Sequence, residues 1–131
     1  MEHNFLRCEV GQGRLLEERR LLKAHYPMFE FDVDVNGVLF LIGEVGGVPG
    51  LRARYQVLVV LPQGYGAGVM PDAYVVSPEI LDGAPHLYEN GSLCLDLSVV
   101  YRRTTSLVTF LDVVMLWLSQ YEHWIATGER W

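Results

Sequence analysis

From Phe29 to Val35 the chain alternates strictly between apolar and acidic residues, and Asn36-Gly37 follows at once. Alternation of this kind puts the apolar side chains on one face of a strand and turns Glu30, Asp32 and Asp34 to water. An Asn-Gly pair is the signal for a two-residue hairpin, so the next apolar run, Val38-Leu39-Phe40-Leu41-Ile42, is predicted to pair back antiparallel. A Gly/Pro turn at 46–50 leads to a third strand from Ala53 to Leu61. Pro62 and the loop Gln63-Gly64-Tyr65-Gly66-Ala67-Gly68 break it, and Ala73-Tyr74-Val75-Val76 supplies a fourth. A four-strand antiparallel meander with one apolar face must bury that face against another layer.

The flanking segments provide it. Residues 13–26 read as an amphipathic helix, with Leu15, Leu22 and Tyr26 at i, i+7 and i+11 and Leu16 alongside, stopped by Pro27. Its other face carries Arg14, Arg19, Arg20 and Lys23. Near the C-terminus, Thr105 or Ser106 caps a long helix with Leu107, Phe110, Leu111, Val114, Leu118 and Tyr121 at helical spacing. Val113, Trp117 and Trp124 form a second stripe, and Thr127-Gly128 marks the stop. The expected fold is therefore α+β: an N-terminal helix, the meander, a long loop and a C-terminal helix packed on the sheet. A length of 131 residues suits a single domain over 1–131.

Charge and composition exclude several functions. The net charge is −6, with no block of like charges, which argues against nucleic acid as a partner because phosphate binding needs clustered Lys/Arg. The longest apolar runs, such as Val113–Leu118, are too short to span a bilayer. Two cysteines, Cys8 and Cys94, and no charged-then-apolar leader predict reduced thiols in the cytoplasm. No two of Cys8, His25, His86, Cys94 and His123 have the close paired spacing of zinc ligands, so neither a metal nor a cofactor is expected. Nine of the ten basic residues are arginine and only Lys23 is lysine. GC-rich codon usage would produce that bias; so would a protein that carries an activated acyl group and avoids its own amines.

Chemistry concentrates after Pro78, where the pattern is irregular for about 25 residues, longer than a compact domain normally leaves without a function. Inside this segment His86-Leu87-Tyr88-Glu89-Asn90-Gly91-Ser92-Leu93-Cys94-Leu95-Asp96-Leu97 sets one cysteine just after a Tyr-x-x-Gly turn, with His86 eight residues upstream. A buried structural thiol, a Cys-His hydrolase and an acyl-carrier thiol all fit these residues alone. The carrier needs least from its surroundings: an exposed sulfur, exclusion of competing groups and a hydrogen-bond donor near the developing oxyanion, for which His86 is the candidate. Asp96 is expected to tether the loop and Tyr88 to pack beneath it.

The order of elements and these loop residues together resemble the ubiquitin-conjugating enzyme family, in its short bacterial branch. Tyr88-x-x-Gly91-x-Leu93-Cys94-Leu95-Asp96-Leu97 is similar to the family's Tyr-x-x-Gly-x-Ile-Cys-Leu-Asp-Ile, and Leu61-Pro62-Gln63-Gly64-Tyr65 with Pro71 resembles its Phe-Pro-x-x-Tyr-Pro connection. The resemblance runs from about residue 13 to 125. It implies a thioester on Cys94 and loop support from Tyr88, Asn90, Gly91 and Asp96. It also implies docking of a ThiF/MoeB-like activating enzyme on Arg14, Arg19, Arg20 and Lys23. A ubiquitin-like protein as cargo, a JAB-type peptidase from the same operon and a setting in antiphage defence are implied as well. Two departures stand out. His86 occupies the place of the asparagine assigned to oxyanion stabilisation, and Tyr101-Arg102 lie near the place of a missing tryptophan. A catalytically inert module of the same fold, binding a ubiquitin-like protein, is the alternative they leave.

Overall fold

The computed structural model describes residues 11–97 and 99–131; Cys8, expected above to be a reduced thiol, lies outside them. Helix α1 spans Gln12–His25, followed by β1 (Glu30–Val33), β2 (Leu39–Val48), β3 (Leu51–Val60), β4 (Asp72–Ser77) and helix α2 (Leu107–Thr127). The sheet is a β1-β2-β3-β4 antiparallel meander. This is the α+β architecture expected from the alternation and the two helical segments.

The first hairpin is built around Asp34, whose Oδ1 accepts from the backbone N–H of Asn36 and Val38 at 2.8 and 3.0 Å. This turn ends β1 at Val33, two residues short of the alternating run, and leaves Val35 fully exposed. Gly46-Gly47 is not the second turn. Strand β2 continues through it to Val48, with a register shift between Gly46 and Val48. The chain then reverses at Pro49-Gly50, so β3 starts at Leu51 rather than Ala53. A bulge absorbs positive-φ glycines without ending a strand, and Gly46 at φ +98° has no room for a side chain, since a Cβ would stand 1.9 Å from the Ala53 carbonyl oxygen.

Leu41 and Val45 of β2 pair across the ladder with Val59 and Tyr55 of β3. These residues are buried in the same core as Phe110, Leu111, Val114 and Leu118 of α2. All six residues of the first apolar stripe of α2 are buried, as is Trp117 from the second. Ser106 caps the helix by accepting from the Thr109 N–H at 3.1 Å, and Gly128 closes it at φ +76°. Glu122 clamps α2 to the start of β3. Its carboxylate accepts from the N–H groups of Arg52 and Ala53, both at 2.9 Å, and from the Tyr55 hydroxyl at 2.8 Å.

Helix α1 departs from its reading in one respect. Leu22 is buried and Leu15 half-buried, but Leu16 is exposed and its expected place is taken by Glu18. That carboxylate is 2% exposed. It accepts from Arg14, from the Tyr65 hydroxyl at 2.8 Å and from the Leu107 N–H at 3.1 Å. A buried carboxylate must be both paired and hydrogen-bonded, and here those partners join α1, the loop after β3 and the first residue of α2.

Candidate active site

Between β4 and α2 the chain forms no helix or named strand among the described residues, and its order comes from a few anchors. Leu87 and Leu93 form an isolated antiparallel bridge. The turn between them is closed by Tyr88 N–H on the Ser92 carbonyl and Gly91 N–H on the Tyr88 carbonyl, both at 2.9 Å. Asn90 locks it from inside, its Oδ1 accepting from the Ser92 N–H at 2.9 Å and the Ser92 hydroxyl at 2.7 Å. Gly91 sits at φ +90°, a conformation that glycine adopts without cost.

Leu93 donates its N–H to the Ala73 carbonyl of β4 at 2.8 Å, and both Leu93 and Leu95 reach the core. Cys94, between them, is therefore held from both sides while its own side chain stays free and half-exposed. Its N–H donates to the carbonyl of His86 at 2.9 Å. The same carbonyl accepts the indole N–H of Trp117 at 3.0 Å. His86 adopts φ +56°, unusual for a residue with a side chain, and these two hydrogen bonds hold it there.

Cys94 and His86 line a cleft of about 290 Å³ with Asp96 of the loop, Val113, Leu116 and Trp117 of α2, and Trp131. Trp131 folds back over this cleft, its ring 5.3 Å from that of His86 and 5.5 Å, edge to face, from Trp117. The Nε2 of His86 is hydrogen-bonded to the Trp131 carbonyl oxygen. A carbonyl only accepts, so this nitrogen carries the proton, and a neutral imidazole has just one N–H to give. The ring that takes the place of the family's asparagine thus has its donor already engaged.

Several expected site residues are placed differently. Tyr88 does not pack beneath the loop; it is 55% exposed. Bridge geometry puts Leu93 inward and Tyr88 outward, on the side of Cys94. Its phenol pKa is raised, first by the neighbouring Cys94 thiol and then by the charges of Asp96 and Asp72. Asp96 is exposed at φ +56°, and its side chain holds no hydrogen bond among the described residues. It is therefore not seen to tether the loop through its side chain.

The basic face of α1 divides. Arg14 is not free for docking. It bonds Glu18 at 3.0 Å, the Tyr65 hydroxyl at 2.9 Å, the Thr105 carbonyl at 3.0 Å and the Arg103 carbonyl, with its guanidinium 5.1 Å from the Tyr65 ring centre. Arg20 is exposed but paired with Glu17 through two 2.7 Å bonds. Arg19 and Lys23 are exposed and line a cavity of about 430 Å³ between α1 and β1, with Phe29 and Phe31. Trp117, Trp131 and Glu18 are the participants that sequence reasoning missed. Trp117 was visible only as part of an apolar stripe, and Glu18 reads as half of an i,i+4 surface pair.

Among the described residues, no group of three or more His, Cys, Asp or Glu side chains could hold a metal, and no helix is long and apolar enough to cross a membrane.

A meander flanked by two helices, with a cysteine loop leaning on the second, is a ubiquitin E2-like fold. The yeast vps23 UEV domain, solved in complex with a vps27 PSDP peptide, shares it at a TM-score of 0.57 and 14% sequence identity, over 80% of this chain and 79% of that one. At that identity the likeness shows the fold alone. A family model described as Type II CBASS E2 protein matches residues 18–131, and the chain belongs to that family. Membership implies a role in a bacterial antiphage conjugation system. No curated protein matches the sequence.

Proposed function

We propose that this chain acts as a single-domain carrier in ubiquitin-like conjugation, taking the C-terminal carboxyl of a ubiquitin-like protein as a thioester on Cys94 and passing it to an amine. One observation carries the reading. Cys94 presents a free, half-exposed thiol at a cleft while its flanking residues and backbone are fixed by Leu93, Leu95 and the His86 carbonyl. A carrier needs this combination, because the sulfur must be reachable and the attached carbonyl must be held in place for attack.

In the first transfer the Cys94 thiolate attacks the thioester carbonyl on an activating enzyme, and that enzyme's sulfur leaves. In the second, the amine attacks the Cys94 thioester, the C–S bond breaks and the thiolate is restored. His86 organises the loop through its carbonyl. The exposed Arg19 and Lys23, with Arg20, form the docking surface for a ThiF/MoeB-like activating enzyme, and a JAB-type peptidase is the expected opposing activity. The cargo, the activating enzyme and this chain would be incubated with ATP and run on non-reducing gels. A thiol-sensitive adduct that is lost in Cys94→Ala is expected. Binding of the ubiquitin-like protein without any adduct would favour an inert binding module.

A further inference from the structure

Amine attack on a thioester places negative charge on the former carbonyl oxygen, and a donor must meet it. The two nearest N–H groups that sequence reasoning would nominate are both engaged. The Cys94 N–H donates to the His86 carbonyl at 2.9 Å. The N–H of a neutral His86 ring donates to the Trp131 carbonyl. Neither is available without dismantling a contact that holds the loop.

Tyr88 is placed differently. The Leu87–Leu93 bridge turns both leucines one way and sends Tyr88 and Cys94 to the opposite side, as diagonal neighbours within an aromatic side chain's reach. The turn at 88–91 is fixed by two backbone bonds and by Asn90, so the ring is presented from a rigid base although it is half exposed. The bridge register places its ring on the Cys94 side of the loop, and the neighbouring thiol, with the charges of Asp96 and Asp72, favours the protonated phenol. Among the described residues the hydroxyl has no carbonyl or carboxylate partner to give up.

We propose that Tyr88 is a catalytic residue, its hydroxyl donating a hydrogen bond to the oxyanion formed when an amine attacks the Cys94 thioester. The amine nitrogen bonds to the carbonyl carbon and the π pair moves to oxygen, where Tyr88 donates without transferring its proton. The pair then returns, the C–S bond breaks, sulfur leaves as thiolate, and the amine's proton passes to water. This role rests on the carrier reading given above.

The test needs no cognate cargo. The full chain is acylated on Cys94 with a short-peptide thioester of mercaptoethanesulfonate, and the adduct is confirmed by intact mass. Discharge to free L-lysine is then followed in a single turnover. Tyr88→Phe is expected to form the adduct but to discharge it about tenfold more slowly or worse, below the ~10²–10³ loss typical of an enclosed donor because this site is open. The lysine concentration giving half-maximal rate is expected to stay the same. Alkylation of Cys94 by iodoacetamide develops no oxyanion and should change less than about threefold. Equal discharge rates in the two proteins, or equal slowing of discharge and alkylation, would overturn the assignment. Failure of the wild-type chain to form any thiol-sensitive adduct would instead overturn the carrier reading, and Tyr88's role with it.

Discussion

The indole N–H of Trp117 donates to the carbonyl of His86 at 3.0 Å, so a side chain of α2 holds the backbone of the cysteine loop. The same carbonyl orients Cys94. Trp117→Phe keeps an aromatic ring in the core but removes the donor. We expect a loss of about 1–3 kcal/mol for the unmade bond and the lost volume, measured by urea denaturation. Hydrogen exchange at the Cys94 amide should accelerate more than exchange in β2 and β3; uniform acceleration would show that Trp117 supports the core and not the loop.

Glu18 and Arg14 hold α1 against the start of α2. Glu18→Ala leaves Arg14 without its carboxylate and strands the Leu107 N–H, and it should cost about 3 kcal/mol or more. Denaturant midpoints of Glu18→Ala and Glu18→Gln compare the two losses. Glu18→Gln retains an acceptor and should fall between wild type and alanine.

The docking proposed for α1 and the contacts that hold the helix in place can be tested separately. Arg19→Glu with Lys23→Glu should leave the melting temperature within about 2 °C, since surface changes of this kind are usually near neutral. The same pair should slow charging by the activating enzyme about tenfold, an effect weakened by added salt. Arg14→Ala should do the reverse, lowering stability through lost contacts with Tyr65 and Thr105. Charging unaffected by the double reversal would move the docking surface elsewhere.

Glu122 gives stability a dependence on acid. Burial raises its pKa, but the N–H groups of Ala53 and Arg52 and the Tyr55 hydroxyl outweigh that and hold it below the usual carboxylate value. A carboxylate depressed in the folded state binds its proton more readily when unfolded. Its contribution is therefore complete above the ordinary carboxylate pKa and is lost as pH falls through the lowered one. Melting temperatures of wild type and Glu122→Gln should differ most near neutrality and converge in acid. A constant difference would remove Glu122 from the acid response.

Gly91 tests the turn itself. At φ +90° a Cβ meets no atom within 4 Å, so Gly91→Ala isolates backbone strain from steric clash. A cost of about 1 kcal/mol or more is expected, with slower discharge from Cys94 because this turn sets where Tyr88 stands relative to Cys94. Unchanged stability would mean the turn relaxes freely.

Much of this architecture was legible because its signals are local. The alternation at 29–35, the Asn-Gly pair, the apolar stripe from Leu107 to Tyr121 and the Ser106 cap each state one element's period or end. Gly46-Gly47 misled for a physical reason. Positive-φ glycines serve a turn and a bulge equally, and only the partner strand decides between them. Leu16 was expected inward and Glu18 is buried instead, because two of the partners that hold its carboxylate, Tyr65 and Leu107, are distant in sequence. At the site, the Tyr-x-x-Gly turn just before Cys94 was readable from its own residues. The engagement of His86 by Trp117 and Trp131 was not, since it joins residues 31 and 45 positions apart. Tyr88 was assigned to the wrong side because one isolated bridge fixes which way it points.

The anchors of the cysteine loop have a direction along the chain. Leu81 donates its N–H to the Tyr121 hydroxyl, His86 is held by Trp117 and Trp131, and Arg103 and Thr105 are grasped by Arg14, whose partner Glu18 also binds the first residue of α2. The contacts from Trp117, Tyr121 and Trp131 are encoded after Cys94, whereas Ala73, Leu87 and Asn90 precede it. On a ribosome Cys94 emerges well before α2, and through that interval its loop lacks the contacts that the helix supplies. The loop's seat is therefore complete only after synthesis has passed α2.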